Sequence, residues 1–218
     1  FAAIILEKLI QAGLPPALVI CNPDKPVGRK KIITPPPTKE VAQKYSVPIE
    51  QPETLDNLKF KISNLKLDFA VVAAYAKILP KEVLDTLPAK FLGVHPSLLP
   101  KYRGTTPIQS AILNGEKETG TTLFLLDEKV DHGAILANSK IQITNSKTYE
   151  ELLKDLANLS VDLLIETLPK FVKGEVKPRP QNESEATYTK KFRAEDGFVN
   201  LEKDDPALIE RKIRALNP

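Results

Sequence analysis

The sequence predicts an α/β fold in which a mostly parallel sheet is flanked by helices. Two short, uninterrupted apolar runs, at 17–21 and 68–74, are typical of strands buried on both faces. Segments with helical spacing of apolar residues, at 1–13, 38–45 and 106–114, alternate with such runs along the chain. This alternation favours a parallel sheet built with right-handed crossovers. With 218 residues, 42% of them hydrophobic, the chain is long enough to bury a core.

Local signals predict the remaining elements of the first half. Apolar patterning favours short strands at 47–49 and 91–95, and helices at 54–65 and 81–87. Residues 22–39 contain five prolines and are predicted to form one long loop, because neither a helix nor a central strand tolerates so many. Loops of this length are often functional.

The second half changes from parallel to antiparallel patterning. Residues 121–126 and 135–143 are predicted strands on either side of an acidic turn, which favours antiparallel pairing near a sheet edge. Thr148 and Glu151 have the spacing of a capping box and mark the start of a long helix. The core-facing stripe of that helix is predicted to consist of Leu152, Leu156, Leu159 and Leu163.

The chain is expected to be part of a longer protein. It contains no methionine, opens on a helical pattern and ends abruptly at Pro218. Residues 1–175 are predicted to form the catalytic domain. The Pro-rich, polar stretch 176–218, with a final helix at 205–216, is predicted to be a linker toward a further domain.

Composition excludes several classes of site. Cys21 is the only cysteine, and His95 and His132 are the only histidines, so neither a disulfide framework nor a Cys/His zinc site is expected, and no metal. A net charge of +3 does not by itself indicate a nucleic-acid partner. No run of 18 apolar residues and no signal pattern occur, so no membrane partner is expected and the predicted location is cytoplasmic, or an organellar matrix in a eukaryote.

Two polar residues stand out as candidates for catalysis. His95 lies at the predicted carboxyl end of a buried strand, where open α/β sheets bind ligands. Asp131 follows 36 residues later, in a turn beside His132 and Gly133. A carboxylate near an imidazole supplies a proton acceptor and a polarising group, as acyl transfer to an amine requires. From these residues alone, a structural role for His95 and an ordinary turn role for Asp131 stay open.

Three motifs in fixed order extend this pattern: V-H-P-S-L-L-P-K-Y-R-G-x-x-P-I-Q, N-G-E-x-E-T-G-x-T and L-D-E-x-V-D-x-G-A-I-L. Together they resemble the folate-dependent formyltransferases. Three further segments are most similar to the methionyl-tRNA formyltransferases within that superfamily, namely N-P-D-K-P-V-G-R, A-A-Y and the closing R-A-L-N-P. The resemblance extends over essentially all 218 residues.

The resemblance implies a Rossmann-like formyltransferase fold whose first strand and C-terminal β-barrel domain are absent from this chain. It implies transfer of a formyl group from 10-formyltetrahydrofolate to the amino group of initiator methionyl-tRNA, in translation initiation. The family's catalytic group is an Asn, a His and an Asp, of which His95 and Asp131 match the last two. The Asn position is Gly93, which has no amide to bind the formyl oxygen. A backbone N–H, a water or another side chain replaces that amide, or the reaction is slowed.

The resemblance also implies two binding surfaces. The folate-contacting residues would be Ser97, Leu98, Leu99, Pro100, Tyr75, Lys77, Ile78 and Leu79. The leucines have a simple alternative as core residues. The tRNA-binding residues would be Lys25, Arg29, Lys30 and Lys31, with Lys39 nearby. Without the resemblance, this basic cluster indicates only a solvated loop.

Other functions remain open at this stage. A related formyltransferase could act on a nucleotide-sugar amine or on glycinamide ribonucleotide, and Gly93 favours a catalytically weak RNA- or folate-binding module. A generic nucleotide-binding domain has little support, because no G-x-G-x-x-G motif occurs. The protein is expected to act as a monomer.

Overall fold

The structure is a computed structural model. It describes residues 1–28, 30–54, 58–75, 77–87, 90–144 and 146–217, apart from the side chains of residues 60 and 61. The chain forms two compact units, Phe1–Leu92 and Gly93–Pro218, each treated in turn.

Short helices of the first unit follow the predicted apolar spacing. Helix α1 (Ala2–Gln11) ends as predicted before Gly13, whose φ of +81° suits a helix terminus, and the N–H of Leu14 donates to the Leu9 carbonyl at 2.9 Å. The later helices are α2 (Pro37–Lys44), α3 (Leu58–Ser63) and α4 (Lys81–Leu84). Residues 55–57 of the predicted 54–65 helix lie outside the described residues.

Strand β1 (Val19–Ile20) pairs in parallel with β4 (Ile49–Glu50), with Val19 opposite Ile49. The predicted 68–74 strand is observed as β5 (Ala70–Ala73). The expectation that β5 is fully buried is wrong, because all four residues are only half-buried. The strand stands at the edge of its sheet, and an edge strand is covered by a neighbour on one side only.

The prediction of one irregular loop over 22–39 is also wrong. Strand β2 (Lys25–Val27) pairs antiparallel with β3 (Ile32–Thr34), and the two form a hairpin. Pro26 is compatible with this pairing because the hairpin is a separate two-stranded sheet, where a missing N–H donor is tolerated at an exposed edge. The apolar side chains of Val27, Ile32 and Ile33 are exposed.

The second unit begins within strand β6 (Phe91–His95), all of whose residues are buried. The chain then forms β7 (Arg103–Gly104) and helix α5 (Pro107–Leu113). Strand β8 (Glu118–Leu125) pairs antiparallel with β9 (Ile135–Gln142), which confirms the predicted pairing. Because β6 neighbours β8 in the sheet, the end of β6 and the turn after β8 belong to the same region.

Helix α6 (Tyr149–Val172) begins with the predicted capping box between Thr148 and Glu151. Three of the four predicted stripe residues, Leu152, Leu156 and Leu163, are buried. Leu159 is only half-buried and the fully buried Leu164 was missed, because the buried face of the helix runs from Leu156 through Ser160 to Leu164.

The segment predicted as a linker, 176–218, belongs to the second compact unit. Its strand β10 (Tyr188–Thr189) pairs in parallel with β7, and helix α7 (Pro206–Leu216) is capped by Asp205. One short 3₁₀ turn, Glu183–Glu185, precedes β10, and another, Ala194–Gly197, lies between β10 and α7. The domain boundary at residue 175 stays a prediction. Among the described helices, none combines the length and apolar character needed to cross a bilayer.

Candidate active site

His95 is held at the carboxyl end of β6 by a single backbone contact. Its side chain is buried, and Nε2 donates to the Tyr102 carbonyl at 2.8 Å. A carbonyl oxygen can only accept, so this contact places a proton on Nε2. The other ring nitrogen, Nδ1, is therefore the atom that faces the rest of the site.

Tyr102 is fixed in turn by its side chain. Its hydroxyl donates to Glu116 at 2.6 Å and accepts from Asn114 at 3.0 Å. Burial, followed by the hydrogen bond to Glu116, raises the pKa of the Tyr102 hydroxyl to about 12. The hydroxyl therefore stays protonated at neutral pH and continues to donate to Glu116.

Asp131 lies in the turn between β8 and β9 and reaches the histidine. Its Oδ2 atom is 3.6 Å from His95 Nδ1 and accepts a hydrogen bond from the Gly104 N–H at 2.7 Å. The backbone of Asp131 has a φ of +49°, in the left-handed region that non-glycine residues rarely adopt. The structure thus brings together the two residues that the motifs predicted, although they are 36 positions apart in the sequence.

Gly104 makes this contact possible because no other residue fits its position. Its φ is +106°, and an added Cβ would lie 2.9 Å from Thr189 Oγ1 and 3.0 Å from the Thr189 carbonyl oxygen. The tight approach of β10 keeps the Gly104 N–H directed at Asp131. The carboxylate therefore has a fixed donor on one side and the imidazole on the other.

A buried arginine next to Gly104 was missed as a site residue. The Arg103 side chain is fully buried, and its guanidinium donates to both carboxylate oxygens of Glu183, at 3.0 and 2.6 Å. It also donates to Gln181 Oε1 and to the Tyr188 hydroxyl. Arg103 itself lies in the K-Y-R-G part of the first motif, but its partners lie about 80 residues later, and no local pattern identifies them.

Gly93 has no room for the amide that the resemblance leads one to expect. A Cβ built on Gly93 would collide with the Phe124 ring and lie 2.8 Å from Leu126 Cδ1. Phe124 is buried in a cluster with Leu99 and Ile135. The position two residues before His95 is therefore occupied by the core of this protein.

Replacing Gly93 with asparagine is expected to lower the free energy of unfolding by about 1–3 kcal/mol, because the new side chain overpacks the space held by Phe124. Chemical denaturation measures this change. Gly197→Asn is the matched control, since a Cβ there meets no atom within 4 Å. Equal stability of the Gly93 and Gly197 variants would contradict the packing described for Phe124.

The predicted folate-contacting residues of the second unit have different environments. Ser97 is fully buried, and its hydroxyl donates to the Lys101 carbonyl at 2.6 Å. Leu99 is buried in the core, and its N–H donates to Thr122 Oγ1 at 3.1 Å. Leu98 and Pro100 are half-buried. Leu99 therefore packs in the core, as the alternative interpretation of the leucines predicted. Leu98 and Pro100 keep part of their surface accessible.

In the first unit, the other predicted folate residues are similarly mixed. Tyr75 has a buried hydroxyl with no hydrogen-bond partner among the described residues, and burial raises its pKa. Lys77 Nζ donates to the carbonyls of Pro52 and Glu53, both at 2.8 Å. Ile78 is exposed and Leu79 is buried.

The predicted tRNA-binding residues belong to the hairpin of the first unit. Lys25, Lys30 and Lys31 are exposed, and Arg29 lies outside the described residues. Lys39 is not a free charge of this cluster, because its ammonium group forms an ion pair with Asp24 at 2.7 Å.

Known proteins are similar to this chain over its whole length. The sequence model of a family described as Formyl transferase matches residues 1–168. The chain belongs to the formyl transferase family. Two relatives, from Chloroflexus aurantiacus and Enterococcus faecalis, are named methionyl-tRNA formyltransferase and are 42% and 40% identical over the whole chain, which spans 71% and 70% of their lengths.

Solved structures share the fold of this formyl transferase chain. One is the N-formyltransferase from Helicobacter canadensis in complex with folinic acid and dTDP-3-aminofucose, with a TM-score of 0.73 and 22% sequence identity. The match covers 98% of this chain and 76% of the Helicobacter chain. The sugar 3N-formyl transferase WlaRD has a TM-score of 0.70 at 20% identity, with 98% and 74% covered. The family resemblance and the α/β fold class, with mostly parallel and mixed sheets flanked by helices, are thereby confirmed.

Proposed function

We propose that this formyl transferase moves the formyl group of 10-formyltetrahydrofolate to the amino group of initiator methionyl-tRNA, in translation initiation. The observation that carries the proposal is the approach of Asp131 Oδ2 to within 3.6 Å of His95 Nδ1 at the end of a buried strand. The names of the relatives supply the acceptor. The protein acts as a monomer in the cytoplasm, or in an organellar matrix, and needs no metal.

The two residues divide the proton movements of the reaction. The amine attacks the formyl carbon, so a C–N bond forms and negative charge develops on the formyl oxygen. Because Nε2 already donates to the Tyr102 carbonyl, His95 donates to that oxygen from Nδ1, which requires the imidazolium form of the ring with the Asp131 carboxylate as its counter-charge. Asp131 accepts the proton released by the amine, directly or through a water. The bond between the formyl carbon and N10 of the folate then breaks, and N10 takes up that proton.

Each of the two sets of residues described above is proposed to contact folate, each within its own unit. In the first unit, the Tyr75 hydroxyl is buried and has no partner among the described residues. This supports the proposed contact, because a buried polar group without a partner is costly unless a ligand satisfies it. In the second unit, Leu98 and Pro100 offer apolar surface next to the backbone groups of the 97–100 segment, which suits a flat heterocycle.

A comparison of acceptors tests the proposed function. The chain is incubated with 10-formyltetrahydrofolate and one of three acceptors: methionyl-tRNA, a dTDP-amino sugar or glycinamide ribonucleotide. We expect formyl-methionyl-tRNA as the main product. Preferential formylation of either small acceptor would assign the chain to another branch of the family. Folate binding without product from any acceptor would identify a binding module.

The exposed lysines of the hairpin are proposed to contact tRNA phosphates. Lys30→Glu together with Lys31→Glu is expected to weaken tRNA binding and to reduce the slope of log K against log[salt] by about 1–2, because each lost phosphate contact removes about 0.7–0.9. Filter binding at several salt concentrations measures the slope.

The matched control reverses the same number of charges on the same unit. Lys8 and Lys66 are also exposed but lie away from the hairpin sequence, and Lys8→Glu with Lys66→Glu should leave the slope unchanged. Equal slopes for the two double variants would show that the hairpin makes no specific phosphate contacts.

A further inference from the structure

We propose that Gln181 is a positioning residue for the reaction. It holds the Asp131 carboxylate in place from the segment 176–218, which its composition predicted to be a linker. The inference rests on the proposed function, because it assigns a role toward Asp131. It does not depend on the identity of the acceptor.

The side chain of Gln181 contacts the backbone of the Asp131 turn. Its Nε2 group donates to the Asp131 carbonyl at 2.9 Å and to the Gly133 carbonyl at 2.8 Å. Both N–H groups of the amide are thus used on the carbonyl groups of the two residues that flank His132. Since φ of Asp131 is +49°, the turn adopts a conformation that persists only where surrounding contacts fix it.

The other end of the amide is anchored to a buried cation. Gln181 Oε1 accepts from Arg103 Nε at 3.1 Å and from Nη2 at 2.8 Å. An arginine can only donate and a carbonyl can only accept, so the orientation of the Gln181 amide is determined by its partners. Arg103 is itself fully buried and paired with Glu183. Gln181 therefore connects a fixed guanidinium to the turn that carries Asp131.

A second connection links the same anchor to the carboxylate. Gly104, which follows Arg103 in the chain, donates its N–H to Asp131 Oδ2. The Arg103–Gly104 strand thus reaches Asp131 twice, through the backbone of Gly104 at the carboxylate and through Gln181 at the main chain. If the Gln181 contacts are lost, the hydrogen bond from the Gly104 N–H and the 3.6 Å approach of Asp131 Oδ2 to His95 Nδ1 should loosen together.

Gln181→Glu isolates this role. The substitution keeps the size of the side chain and the acceptor for Arg103, but it replaces the NH₂ group with a carboxylate oxygen that faces two carbonyl oxygens. Gln181→Met removes the same donors without adding a charge and serves as a second variant. Asn182→Asp is the matched control, because it makes the same chemical change one residue away, on a side chain whose bonds are confined to residues 184 and 185.

In formylation assays we expect both Gln181 variants to lower kcat at least about tenfold, because displacement of a catalytic group by an ångström can cost up to about 10²-fold. KM for folate and for the acceptor should stay close to wild type, and Asn182→Asp should keep wild-type kcat. In a chain that already carries Asp131→Asn, Gln181→Glu should cause little further loss. A merely structural role would instead reduce kcat by the same factor in both backgrounds.

Hydrogen exchange tests the same inference without activity. The Gly104 amide should exchange faster in the two Gln181 variants than in wild type or in Asn182→Asp, because its acceptor, Asp131, is less well held. Unchanged Gly104 exchange together with a kcat equal to that of Asn182→Asp would overturn the inference. If the wild-type chain formylates no acceptor, the proposed function fails, and the exchange of Gly104 alone decides the role of Gln181.

Discussion

His95→Ala is expected to reduce turnover by about 10²–10⁴-fold while folate binding stays close to wild type. The imidazole is the only side chain assigned to the formyl oxygen, since Gly93 supplies no amide and its side-chain space is filled by Phe124. Single-turnover formylation and fluorescence titration of a folate measure the two quantities separately. The separation arises because the histidine acts on charge that develops only during the reaction.

The other histidine provides the control for this prediction. His132 lies one residue from Asp131, donates from Nδ1 to Asp127 at 2.6 Å and is partly exposed. His132→Ala should keep turnover within a small factor of wild type. Comparable losses for the His95 and His132 variants would indicate a general disturbance of the turn rather than loss of a catalytic imidazole.

Asp131→Asn is the second change with a large expected effect, a loss of turnover of about 10²–10⁴-fold. The amide oxygen of asparagine can still accept from the Gly104 N–H, so the turn should keep its conformation and the protein its thermal stability. What is lost is the negative charge beside His95 Nδ1 and the group that accepts the amine proton. Calorimetry and single-turnover rates distinguish loss of chemistry from loss of fold.

Asp127→Asn is the matched control on the same turn. Asp127 contacts His132 and the Lys129 N–H but is not assigned to the reacting groups. Its amide variant should retain turnover. If Asp127→Asn were as slow as Asp131→Asn, the charge of the turn as a whole, rather than the Asp131 carboxylate, would control the rate.

The parts of the site that the sequence predicted are those carried by contiguous motifs. His95 follows a buried strand and Asp131 a predicted turn, so their placement required only that the sheet form as its patterning indicated. The helix that follows was predicted for the same reason, because its capping box and leucine spacing are local signals.

The rest depends on contacts between distant segments. Arg103 and Gln181 are 78 residues apart, and the pairing of β7 with β10 and the bridge between Ile135 and Arg179 bring them together. The packing of Phe124 against Gly93 likewise requires knowledge of the register of neighbouring strands. The hairpin at 25–34 was missed because proline content excludes a central strand but does not exclude a two-stranded exposed sheet.

The most direct test of the account is a double-mutant cycle between His95 and Asp131, read as single-turnover formylation of methionyl-tRNA by the wild type, His95→Ala, Asp131→Asn and the combined variant. Residues that act as one catalytic unit show strongly non-additive losses. We therefore expect the combined variant to be about as slow as the slower single variant. A combined loss equal to the product of the two single losses, or full turnover in either single variant, would contradict the claim that these two residues perform the transfer together.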